Sequence, residues 1–126
     1  MDRHFARGFT LIELLVVMAI ISTLLALAAP RYFNSQDKAR ETALRHDLAV
    51  MREAIDRHYG DTGRYPESLQ ELVARKYLRR IPPDPITGSD ETWIFASQAN
   101  KNKGAIVDVA SGAPGVSREG TPYAQW

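Results

Sequence analysis

The 126-residue chain contains no cysteine. That absence excludes disulfides, thiolate-bound metals and a cysteine nucleophile. A large excess of either sign of charge is missing too. Sixteen Lys and Arg stand against fifteen Asp and Glu, for a formal net charge of +1, so no strongly basic face of the kind that binds nucleic acid is expected. Histidine is scarce. His4 lies in the amino-terminal leader, and His46 and His58 are 12 positions apart rather than at the 3–4 spacing of a helical metal pair, so both read as surface or boundary residues. There is no Ser–His–acid set with a recognisable local context, no phosphate-cradling glycine loop and no cluster of metal ligands, so the chain does not read as an enzyme. Residues 31–59 hold neither proline nor glycine, which leaves a long stretch without helix breakers.

Residues 9–29, FTLIELLVVMAIISTLLALAA, carry a single charge, Glu13. As a helix this run spans about 31 Å, the thickness of a bilayer's hydrocarbon core. It is too long for an ordinary secretory signal, whose apolar core is about 7–15 residues, although Ala26-Leu27-Ala28 has the small residues of a cleavage site. A plain transmembrane anchor also accounts for it. Glu13 lies near one end, where its carboxylate reaches the interface, and even at the centre it would cost only about 2.5–3.5 kcal/mol.

A third reading comes from the order of residues. A short leader, MDRHFARG, ends in Gly8 and is followed by Phe9-Thr10-Leu11-Ile12-Glu13-Leu14-Leu15-Val16-Val17. Glu13 falls at the fifth place from Phe9, and Pro30 at the twenty-second. This register resembles the prepilin signature of type IV pilins and type II secretion pseudopilins. The resemblance implies cleavage between Gly8 and Phe9 by a membrane prepilin peptidase, and methylation of the new amino terminus at Phe9. It implies assembly into a filament through the apolar helix, with Glu13 meeting the freed amino terminus of a neighbouring subunit and Pro30 marking where the helix stretches. Pairing two charges at low dielectric gains little overall, but leaving them unpaired is costly, so such a pair would set the register of added subunits. The resemblance also implies a leader on the cytoplasmic side and a head in the periplasm. The count of Arg3 and Arg7 against Arg31, Lys38, Arg40 and Arg45 does not itself favour that orientation. Loss of residues 1–8 would leave 14 basic and 14 acidic residues.

Beyond Pro30, Leu44, Leu48, Met51, Ile55 and Tyr59 recur at steps of 4, 3, 4 and 4. This predicts one apolar helix face, extended backwards by Ala43 and Ala39. Glu41–Arg45 and Glu53–Arg57 are spaced as i,i+4 pairs on a solvated face. Pro30 is expected to kink the helix. With the apolar segment, the helix would run about 50 residues, or roughly 75 Å. Gly60-Asp61-Thr62-Gly63 should end it.

Leu69, Leu72, Val73, Tyr77 and Leu78 predict a short second helix. The prolines at 82, 83 and 85 exclude helix and inner strand there. Residues 92–96 and 105–109 have strand composition, joined by a hairpin connection at 100–104. The tail, residues 111–126, is expected to be ordered only if Tyr123 and Trp126 dock on the sheet.

This half resembles the major, G-type pseudopilin of type II secretion systems through Tyr65-Pro66, Tyr77-Leu78, Pro83-Asp84-Pro85 and Asp108-Val109-Ala110-Ser111. That resemblance implies calcium held by several acidic residues in the loop after the last strand. Here the stretch 112–120 has one acid, Glu119. Asp108 and Glu119 are therefore weak calcium candidates, since calcium takes six to eight oxygens with several carboxylates among them. No cofactor is expected, and aromatic packing is expected to close the head.

The expected fold class is α+β. Residues 1–8 form a leader, 9–29 a transmembrane and assembly helix, 30–59 the periplasmic half of that helix and 60–126 a small head with an antiparallel sheet. The expected function is a structural subunit of a type II secretion pseudopilus in the inner membrane. Its implied partners are copies of itself, other pseudopilins, the prepilin peptidase and an inner-membrane assembly platform. A type IV pilin or minor pilin, serving adhesion, twitching or DNA uptake, is the first alternative. The absence of a carboxy-terminal disulfide weighs modestly against it. A membrane-tethered binding module that never polymerises is the second.

Overall fold

The computed structural model of the protein describes residues 7–97 and 105–126. The leader's first six residues, including His4, and the expected hairpin connection at 100–104 lie outside the described residues. The chain divides into two compact units, one ending at Gln36 and the other spanning Asp37–Trp126. One α-helix, α1, spans Leu11–Thr62 and supplies most of the first unit and part of the second.

Thr10 starts α1. Its Oγ1 accepts the Glu13 N–H at 3.2 Å, and its carbonyl accepts the Leu14 N–H at 3.2 Å. This is the S/T-x-x-E spacing of a helix amino terminus, with the acid in the first turn, where the helix dipole favours negative charge. Pro30 lies inside α1, and the helix continues on both sides of it. Having no N–H, Pro30 leaves the Ala26 carbonyl without its i+4 donor.

In the second unit, α1 buries Glu41, Leu44, Leu48, Met51, Ala54, Ile55 and His58. Four of the five residues expected on the apolar face are in the core. The stripe ends on His58 rather than Tyr59, because a 3-residue step from Ile55 stays closer to its axis. Tyr59 is half-buried and stacks on Tyr65 with centroids 4.4 Å apart. Ala39 and Ala43 are exposed and do not extend the face. His58, expected at the surface or a boundary, is only 2% exposed. Its Nδ1 lies 2.7 Å from the Arg64 carbonyl, and its Nε2 is 3.4 Å from Glu71 Oε1 without hydrogen-bond geometry. Gly60 does not end the helix. The stop is Gly63, whose φ of 71° is the left-handed conformation that glycine adopts freely.

The second helix, α2, spans Leu69–Ala74 and is shorter than expected. Ser68 caps it by accepting the Glu71 N–H at 3.1 Å, and Glu71 Oε2 accepts the Glu67 N–H at 2.7 Å. That Glu67 hydrogen bond, helped by His58 and Arg75, holds the Glu71 carboxyl below its ordinary pKa against the opposing effect of burial. Lys76, at φ 66°, turns the chain. Its N–H bonds the Val73 carbonyl at 3.1 Å, and the Tyr77 N–H bonds the Leu72 carbonyl at 2.9 Å, a Schellman closure built on lysine. Tyr77 and Leu78 therefore follow α2 instead of belonging to it.

Strands β1, Trp93–Ser97, and β2, Ile106–Ser111, pair antiparallel. The register runs from Trp93 opposite Ser111 to Ala96 opposite Asp108, with an irregularity between Ala96 and Ser97. One core cluster unites Leu44, Leu48, Met51, Ala54 and Ile55 of α1 with Leu69 and Leu72 of α2, Leu78, Trp93, Ile106 and Val109. Tyr123 and Trp126 pack against it, so the tail docks as its aromatic residues required. The Pro-Asp-Pro stretch is ordered by Asp84, which is fully buried. Its Oδ1 accepts the Ile86 N–H at 2.8 Å, and its Oδ2 accepts from Ser111 Oγ.

Gly112 follows the Trp93–Ser111 pair, and a Cβ there would stand 2.0 Å from the Thr92 carbonyl oxygen. Backbone cannot yield as a side chain can, so Gly112→Ala should cost about 2–3 kcal/mol. Gly60 is helical with nothing within 4 Å of an added Cβ, so Gly60→Ala should stabilise by about 0.5–1 kcal/mol. Urea unfolding of the detergent-solubilised chain, read by far-UV circular dichroism, measures both.

Candidate functional site

The amino-terminal segment is built from exposure. Gly8 and Phe9 precede α1 and are exposed, Phe9 by 86%. A Cβ at Gly8 would meet nothing within 4 Å, and Gly8 is not among the glycines with positive φ. Neither packing nor backbone conformation requires glycine there. Every large apolar side chain from Leu11 to Leu27 is exposed. The helix is long and apolar enough there to cross a membrane. Thr23 closes its hydroxyl on the Ala19 carbonyl at 2.8 Å, so this polar group is satisfied within the helix. Glu13 is exposed in the first turn of α1. Pro30 sits just beyond the apolar run.

A second set of polar contacts gathers the tail. Asp108 and Glu119, the two calcium candidates, are each engaged by an arginine of α1. Asp108 Oδ1 accepts from Arg52 Nε at 2.9 Å and from the Val109 N–H at 2.8 Å. Glu119 Oε2 lies 3.6 Å from Arg45 Nη2. Among the described residues, no three His, Cys, Asp or Glu gather where they could hold a metal ion. Both carboxylates are more than half exposed and paired to cations, so these donors do not fit calcium.

Sequence reasoning placed Glu41 and Arg45 as a surface pair, and the structure separates them. Glu41 is buried, and its Oε1 accepts from the Arg118 N–H at 2.8 Å and the Tyr123 hydroxyl at 3.1 Å. The Arg45 guanidinium lies 4.5 Å from the centroid of the Trp126 ring, within cation–π range. Glu53 and Arg57 do pair, at 2.7 Å. The missed signal was positional: Glu41, Leu44, Leu48 and Arg52 share one flank of the helix, so a charge at 41 faces the head. Burial, then the Glu41 hydrogen bond and charge, raise the Tyr123 pKa above its ordinary value, with Asp37 and Asp84 adding to the effect.

The profile described as the prokaryotic N-terminal methylation motif matches residues 3–29. The type II secretion system core protein G of Klebsiella michiganensis is 30% identical in an alignment covering all of this chain and 96% of that protein. The protein of the same name from Klebsiella pneumoniae is 31% identical, with 95% of this chain and 94% of the relative covered. The one from Pectobacterium carotovorum subsp. carotovorum is 32% identical, with 75% and 70% covered. No solved structure gives a significant match.

The folded chain favours neutral Tyr123, so the stabilisation it provides is complete below about pH 10 and lost as pH rises through its higher folded value. Alkaline titration followed by tryptophan fluorescence should show Trp126 released above about pH 10. Tyr123→Phe should remove that transition.

Proposed function

Since this chain belongs to the type II secretion system core protein G family, and so is a pseudopilin subunit, we propose that it reaches its filament through one event at Gly8–Phe9 and one interaction at Glu13. The chain is anchored by its apolar helix and assembles with other pseudopilins. Prepilin peptidase would remove residues 1–8 and methylate Phe9. An inner-membrane assembly platform would then extract the subunit, its head in the periplasm, and add it to a filament of like copies whose growth drives protein export. The role is structural and not catalytic. The names of the relatives do not favour a type IV pilin or a tethered module that never polymerises.

The observation that carries this reading is the apolar surface of residues 11–27, exposed on every side in the single chain. Such a surface needs lipid before assembly and other helices after it. Gly8 adds support, because its lack of a side chain serves neither packing nor φ within the chain and suits entry of an extended peptide into a peptidase.

Mass measurement of the chain recovered from its native envelope should show loss of residues 1–8 and gain of one methyl group. A chain still beginning at Met1 while secretion runs would refute the processing step. Glu13 has two roles to be separated, an N-terminal helix position and a charge for a neighbour's amino terminus. Glutamine keeps the first apart from the dipole contribution of the charge, about 0.3–1 kcal/mol, and cannot supply the second. Glu13→Gln should therefore insert in the membrane and keep its helix content, yet enter filaments at least about tenfold less, the equivalent of about 1.4 kcal/mol. Wild-type incorporation in a sheared-filament assay would sink the charge-pairing role.

A further inference from the structure

Three side chains on one flank of α1, Glu41, Arg45 and Arg52, hold the tail, and Arg52 is their centre. Its Nε donates to Asp108 Oδ1 at 2.9 Å, and its Nη2 donates to the Val109 carbonyl at 2.9 Å and to the main-chain oxygen of Trp126. One carboxylate oxygen and two main-chain oxygens, drawn from β2 and from the end of the sequence, thus converge on a single cationic group. Oxygens of this kind are what a hard divalent cation collects. Here a guanidinium fills the space with a permanent charge and a planar fork of donors that fixes direction as well as distance. Glu41 and Arg45 secure the rest of the tail through Arg118, Tyr123, Glu119 and the Trp126 ring.

We propose that the Arg52 guanidinium stands in place of a divalent cation as the cross-link that closes the head of this subunit, so that the carboxy-terminal segment docks without calcium. The cross-link is encoded in the chain, independent of free calcium in its compartment. It also depends on the guanidinium's shape, because a lysine ammonium is a compact point charge without the fork of donors that meets these three oxygens.

The test uses the full chain in detergent micelles, with tail docking read by tryptophan fluorescence and thermal unfolding by near-UV circular dichroism. Wild-type protein is compared in EDTA and in calcium at about 5 mM, above the range in which extracellular modules bind it. The expected difference in midpoint is under about 1 °C. Arg52→Ala is expected to lower the midpoint by about 5 °C or more and to make the segment after Ser111 sensitive to protease, and Arg52→Lys is expected not to restore either. A calcium-dependent rise of several degrees in the wild type would overturn the proposal. So would an unchanged midpoint in Arg52→Ala, or full recovery in Arg52→Lys. Should Arg52→Ala fail to fold, the wild-type comparison in EDTA and calcium decides alone.

Discussion

Leu44, Leu48, Met51, Ala54 and Ile55 project from one flank of α1 into the same cluster as the buried side chains of α2, β1 and β2. Among the described residues the sheet has two strands, too few to stand alone in water, and a helix of six residues is marginal without packing. Both are stabilised by packing on the apolar stripe of α1. Each large side chain buried there contributes about 1.5–3 kcal/mol. The amino-terminal part of α1 works by the opposite rule. Its apolar side chains surround the axis and find no cover among the described residues, so that part is built for a partner or a bilayer. One helix thus carries two surfaces, a stripe that makes a domain and a full circumference that makes an assembly.

The polar contacts of the head follow from the stripe. Its flank holds Glu41 and Arg52 beside the leucines, at the edge where the tail returns. Glu41 is buried but satisfied by a backbone N–H and a phenol. Asp84, fully buried, is satisfied by a backbone N–H and a serine hydroxyl. In each case donors replace water around a carboxylate, which is what makes burial affordable. Asp47, half-buried, shows the opposing pressure. Burial raises its pKa, Asp84 adds to that, and His46 opposes both.

Much of this architecture is written in residue spacing. The steps between Leu44, Leu48, Met51 and Ile55 give the core face, and the β-branched and aromatic runs give both strands, shifted by only a residue or two. Conformations that a residue type rarely adopts were not legible. Lys76 takes a left-handed turn that usually announces itself as glycine, so α2 reads four residues too long. Two glycines near the end of α1 look alike in sequence, but only Gly63 has a positive φ. Burial of polar residues was missed for a related reason. His58 and Glu41 sit on the apolar flank at helical spacing, where position argues for burial and residue type against it, and position wins because partners are supplied from distant parts of the chain. The candidate site was read from local order around Gly8, Phe9 and Glu13. The arginine contacts at Asp108 and Glu119 depend on tertiary placement, which no local pattern encodes.

Among the described residues, the helix contributes five of the eleven side chains at the centre of the head. A cut between α1 and the remainder would therefore strip the head of that share of its core. The strands and α2 follow the helix in the chain, and their buried side chains share one core with it. Exchanging heads between related subunits would accordingly require the helix from Asp37 onward to travel with them.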